Sequence, residues 1–120
     1  MIPKRTEVWR SSFLAQEVTV ARWGEDGRPV LLFPTAGGDA EEVERFRMVD
    51  ALAPLVRAGR IQLFSCDSVP GQCWVSDAYP ASHCSWVQNR FDQFLYFELA
   101  PYMRHLAGER NEILTAGASL

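Results

Sequence analysis

Three short segments hold residue types that could do chemistry: Pro34 to Gly38, Cys66 to Ser68, and Gly117 to Ser119. Ser119 raises the sharpest question. A serine at its ordinary pKa is a poor nucleophile and needs a base to take its proton and an electrophile held against it. One device that presents such a serine is a strained turn between strand and helix, G-x-S-x-G, in which small neighbours relieve crowding. Gly117, Ala118 and Ser119 follow a strand-like run and supply the first half of that pattern. The second small residue would fall at position 121, one past the last residue, Leu120. The same residues would equally form a plain small-residue tail.

Ester chemistry also needs two backbone N–H donors for the developing oxyanion. In hydrolases with such an elbow, one donor is the residue after the nucleophile, here Leu120. The other lies in the loop between the third strand and the first helix. Thr35, Ala36 and Gly37, in "TAGG", occupy that place in the element order. The bland alternative is an ordinary loop before a helix start. A phosphate cradle is a further alternative, although "TAGGD" lacks both the Walker lysine and the G-x-G-x-x-G spacing. Asp67 ends a strand and suits a substrate contact or, more commonly, a loop cap. Trp74 and Trp86 suit either an acyl pocket or the core; Trp86 is assigned to the core and Trp74 is left open.

Alternating helices and apolar strands must position these segments. "EVTVARW" (Glu17 to Trp23) is rich in strand formers, but neither face is cleanly polar, so no buried face is assigned. "EVWRSSFL" before it is a weaker strand. "GEDGRP" (Gly24 to Pro29) reads as a hairpin or tight loop. "VLLFP" (Val30 to Pro34) and "IQLFSC" (Ile61 to Cys66) are continuous apolar runs that suit strands buried on both faces. Helical spacing of Val43, Phe46, Val49, Leu52, Ala53 and Val56 predicts a helix over 40–58, capped by Thr35 or Asp39, kinked or restarted at Pro54 and stopped at Gly59. A long loop follows from Asp67 to Ser82. The longest helix spans 82–106, with a stripe of Val87, Phe91, Phe94, Leu95, Leu99, Tyr102 and Leu106, and is bent at Pro101. "EILTAG" (Glu112 to Gly117) is the last strand. The fold class expected is α/β: a mostly parallel sheet with helices on both faces and an antiparallel N-terminal hairpin, all of residues 1–120 belonging to one domain.

Composition narrows the field. The hydrophobic fraction of 48% and aromatic fraction of 12% suit a globular chain. A net charge of −3 with no basic stripe argues against nucleic acid as a partner. No run approaches the roughly 18 apolar residues of a membrane helix, and the N-terminus lacks a signal-peptide core. A soluble, cytoplasmic chain is expected. Cys66, Cys73 and Cys84 lack paired-knuckle spacing, so neither a metal nor any other cofactor is expected.

The segments "RPVLLFPTAGGDAEEVERF", "LFSCDSV" and "ILTAGAS" resemble the N-terminal half of an α/β-hydrolase of the bacterial esterase D type. The resemblance runs from about Glu17 to the end. It implies a truncated α/β-hydrolase fold and a serine-dependent carboxylic-ester hydrolase acting on a small-molecule ester. Ser119 would be the nucleophile, Leu120 one oxyanion donor, and Thr35 to Gly37 the source of the other. In that family the acid and histidine come after the serine, so His83 and His105, both upstream, are excluded as the base. The 120-residue chain alone is therefore expected to be inactive, with its last strand as an exposed edge open to self-association. The competing expectations are a non-catalytic α/β binding or interaction module, and a small ligand binder that uses "TAGG" for phosphate.

Overall fold

The apolar runs Val30 to Phe33 and Ile61 to Cys66 form two central strands, while the N-terminal strand is polar and mostly exposed. In the computed structural model, which describes residues 2–108 and 112–117, the first strands are β1 (Lys4–Ser11), β2 (Gln16–Trp23) and β3 (Arg28–Phe33), with β4 (Ile61–Cys66) and β5 (Leu114–Gly117) further along. The sheet order is β1-β2-β4-β3-β5. β1 pairs antiparallel with β2 as an N-terminal hairpin. β2 is antiparallel to β4, whereas β4, β3 and β5 are mutually parallel. Every described strand except β2 thus runs in one direction. Because β4 lies between β2 and β3, "GEDGRP" is a tight connection between non-neighbouring strands and not a hairpin.

Both faces of the sheet are covered, which resolves the ambiguous pattern of β2. Val18 and Val20 pack on one face with Phe64, Phe91, Phe94, Leu99 and Met103. Ala21 and Trp23 pack on the other with Leu32, Val43, Val49 and Leu63. Complete burial of Phe64, Leu63 or Phe94 contributes about 1.5–3 kcal/mol each.

The helix expected over 40–58 is two helices, α1 (Glu42–Arg45) and α2 (Met48–Arg57). The break falls at Arg47, which takes a left-handed φ of 70°. This resets the helical phase and leaves Phe46, expected in the apolar stripe, 72% exposed. Pro54 stays inside α2 on its solvent side, where water can satisfy the carbonyl its ring frees. Neither Thr35 nor Asp39 stands at the helix cap, which is Glu41; Asp39 instead accepts the Glu41 N–H at 3.0 Å.

The segment read as a long loop contains a helix, α3 (Val69–Trp74). Pro70 falls in its first turn, where a missing N–H costs nothing. The long helix is α4 (Ala81–Phe94), continued by a π turn (Leu95–Leu99) and α5 (Ala100–Ala107). Ala100 N–H donates to the Leu95 carbonyl, a widened turn just ahead of Pro101. The predicted stripe of this helix lies on the core. Among the described residues no helix is long and apolar enough to cross a membrane.

Candidate active site at the ends of β3 and β5

Parallel pairing brings the carboxyl ends of β3 and β5 together: Phe33 stands opposite Gly117, the last residue of β5. Ligands in open α/β sheets bind beyond such ends. Ser119 and Leu120 lie outside the described residues; in sequence, Ser119 is two positions past Gly117.

Beyond Phe33 the chain makes a tight turn over Thr35 to Gly38, with Gly38 N–H donating to the Thr35 carbonyl at 2.9 Å and Gly37 at φ +80°. The turn is clamped from two sides. On one side, the buried Glu42 carboxylate accepts the Thr35 N–H at 2.7 Å and also the Thr35 hydroxyl. A Cβ at 38 would lie 2.2 Å from Glu42 Oε2, so any larger residue there would push the carboxylate out of this position. On the other side, Ser68 N–H donates to the Gly38 carbonyl at 3.0 Å. Asp67 extends this second clamp, its Oδ1 accepting the Ala40 N–H and its Oδ2 the Thr19 N–H, each at 3.0 Å. Asp67 is therefore a loop cap that ties β2, β4 and the approach to α1 together. In the sequence Glu42 reads, with Asp39 and Glu41, only as an acid suited to the positive start of its helix; its spacing of seven positions from Thr35 is the one signal that it could reach back.

The consequence for donors is direct. The Thr35 N–H is engaged by Glu42. Among the described residues, no acceptor meets the N–H of Ala36 or Gly37. Gly71 of α3 packs against this stretch so closely that a Cβ there would sit 2.9 Å from Ala36 Cα.

Two cavities flank the end of β5. One, of about 320 Å³, is lined on the α4 side by Phe33, Ser68, Trp74, Gln88, Phe91, Asp92, Leu95 and Gly117. Trp74 Nε1 donates weakly to Gln88 Oε1 at 3.4 Å. The other, of about 330 Å³ and more apolar, lies on the α1–α2 side between Val43, Phe46, Met48, Ala116 and Gly117. Neither histidine lines either cavity: His83 is in the first turn of α4, stacked between Tyr79 and Trp86, and His105 is in the last turn of α5. Trp86 is 58% exposed, which overturns its assignment to the core. It lies off the Phe91–Phe94 face and stacks on His83 and Arg90 instead.

The three cysteines are buried and reduced. Burial, with the Asp67 charge adding to it, pushes the Cys66 thiol up to about 12. No group of three or more His, Cys, Asp or Glu side chains suited to a metal occurs among the described residues.

No family model matches the chain, and no curated protein matches it. Solved structures do. A ferulic acid esterase superposes with a TM-score of 0.67 at 14% identity, covering 98% of this chain and 49% of that one. A ferulic acid esterase from Anaeromyces mucronatus, solved with ferulic acid, gives 0.60 at 16% identity over 99% of this chain and 48% of its own. A cold-adapted esterase from an Arctic intertidal metagenomic library gives 0.57 at 18% identity, with coverages of 98% and 51%. The fold is that of α/β-hydrolase-type esterases, and this chain spans about half the length of the solved chains it matches.

Proposed function

We propose that the chain carries the nucleophile end of a serine-dependent carboxylic-ester hydrolase, with Ser119 as the attacking residue. The observation that supports this most is the register of β5 on β3. The strand leading to Ser119 finishes beside the strand that runs into the Thr35–Gly38 turn. Esterases among the structural neighbours support the same reaction class.

In this account Ser119 Oγ attacks the ester carbonyl carbon and its proton passes to a base. The carbonyl oxygen takes up the electron pair as an oxyanion, which accepts hydrogen bonds from Leu120 N–H and from Ala36 or Gly37 N–H. Thr35 anchors the turn through Glu42 instead of donating its own N–H. Collapse of the tetrahedral intermediate expels the alcohol, and water then hydrolyses acyl-Ser119 to the acid and free serine. The Trp74-lined cavity would hold one side group of a small-molecule ester.

Among the described residues neither histidine lines the cavities at this end of the sheet, so the base is not drawn from them. In a comparable triad, removing the histidine costs on the order of a millionfold in rate. Residues 1–120 alone are therefore expected to show no enzyme-like turnover. The test is expression from the same start through the next in-frame stop codon, assayed on short p-nitrophenyl esters. The longer product should turn over, and Ser119→Ala should abolish that. Turnover by residues 1–120 alone, turnover surviving Ser119→Ala, or a longer product without activity would each count against the proposal.

A second reading, a non-catalytic interaction module, is favoured by one specific observation. All four residues of β5 are exposed, and both flanking cavities open beside it. A stop codon directly after Leu120 would favour this reading over the esterase.

A further inference from the structure

Cys73 lies in the last turn of α3 and Cys84 in the first turn of α4. The two helices pack against each other, and the Cys73 thiol interacts with the Cys84 thiol across that contact. Both are reduced; Cys73 is 7% exposed and Cys84 2%. A groove of about 310 Å³ between Gln72, Ser76, Tyr79 and His83 reaches Cys73 but not Cys84. Cys66, the remaining cysteine, lies fully buried on β4. The pair is thus asymmetric, with one thiol open to a small reagent and a second waiting behind it.

We propose that Cys73 and Cys84 form a reversible disulfide that staples α3 to α4 beside Trp74. The oxidant is a low-molecular-weight disulfide. Cys73 loses its proton to solvent, and its sulfur attacks one sulfur of the reagent. A mixed disulfide forms and one small thiolate leaves, taking up a proton. Cys84, deprotonated in turn, attacks Cys73 Sγ, closes the internal bond and releases the second small thiol. Two protein thiols are oxidised by two electrons, and one reagent disulfide is reduced to two thiols. Burial, with the Cys84 thiol adding to it, pushes the Cys73 thiol up to about 11, so the pair rests as thiols at neutral pH and exchange is slow.

The staple has a local consequence. Trp74 follows Cys73 directly and shares the wall of the β5-end cavity with Gln88 of α4. Joining the helices fixes that wall. The bond forms whether or not the chain belongs to an esterase, so its test is independent of that proposal.

The experiment incubates the folded 120-residue chain in glutathione buffers of rising disulfide fraction, blocks free thiols with N-ethylmaleimide, and maps peptides without reduction. The expected product is a monomer lighter by two hydrogen atoms, with the Cys73 peptide joined to the Cys84 peptide. Cys66 should be blocked only after denaturation. The oxidised monomer should also melt at a higher temperature than the reduced one. In Cys84→Ala the reaction should stop at Cys73, with the gain of one glutathione. A folded chain that stays fully reduced, a bond to Cys66, or cross-linking only between chains would overturn the proposal. The mapping on the unaltered chain decides this even if the variant fails to fold.

Discussion

Glu42 holds the Thr35–Gly38 turn through the Thr35 N–H and hydroxyl, so its loss leaves two half-buried donors without their acceptor. Glu42→Ala should destabilise the chain by about 1–3 kcal/mol in urea melts and speed amide exchange at Thr35. A change within error, with exchange unaltered, would show that the turn holds itself. Ser65 is the reverse case. Its hydroxyl is fully buried on β4 and has no partner among the described residues. Ser65→Ala should be neutral or stabilising by about 1 kcal/mol by the same measurement, since an unmade hydrogen bond is removed and little volume is lost. Neither role was visible in the sequence. Seven residues separate Glu42 from Thr35, and only the tight turn between them brings the carboxylate back. Asp67, by contrast, stood at a strand end, where a capping role is the common one, and it caps.

At the scale of elements, β3 and β4 were legible because each is an apolar run bounded by turn formers. Their burial on both faces follows from that composition. The breaks were less legible. Pro54 advertised an interruption that α2 tolerates on its wet side, whereas the actual break at Arg47 carries no proline or glycine. α3 hid behind Pro70 and Gly71, which read as loop formers. The proline starts the helix, and the glycine lets it approach the Ala36–Gly37 backbone. One contact between elements is open to titration. Glu44 of α1 accepts hydrogen bonds from Lys4 of β1 and from Trp23 Nε1 of β2, and these hold its carboxyl below the ordinary value of 4.5. A folded-state pKa below the unfolded one contributes stability above the unfolded value, and that stability is lost as pH falls through the folded one. Glu44→Gln should therefore lower the melting temperature at pH 6–7, and the gap to the unaltered chain should close as the pH falls below 4.5 and through the lowered folded-state value. A gap that persists unchanged at low pH would mean the charge plays no part.

At the scale of the molecule, β5 closes one side of the sheet on β3, and among the described residues nothing pairs with its other side. An exposed strand edge flanked by apolar grooves is a template for association. Sedimentation should show concentration-dependent self-association of the 120-residue chain, and Leu114→Lys on the exposed edge should weaken it at least severalfold. A strictly monomeric chain at high concentration would contradict this. The α/β layering and the shared end of β3 and β5 were readable from element order, because crossover connections force parallel strands to finish together. Which N–H groups remain free at that end was not readable, since it depends on the Glu42 clamp. The proposed chemistry requires Ser119 to attack an ester held against the Ala36–Gly37 turn. The most direct measurement is to treat the longest product of this reading frame with a fluorophosphonate and solve its structure. Phosphorus should be bonded to Ser119 Oγ, with a phosphoryl oxygen within about 3 Å of the Leu120 nitrogen and of the Ala36 or Gly37 nitrogen. Phosphorus on another residue, or a phosphoryl oxygen turned away from that turn, would contradict it.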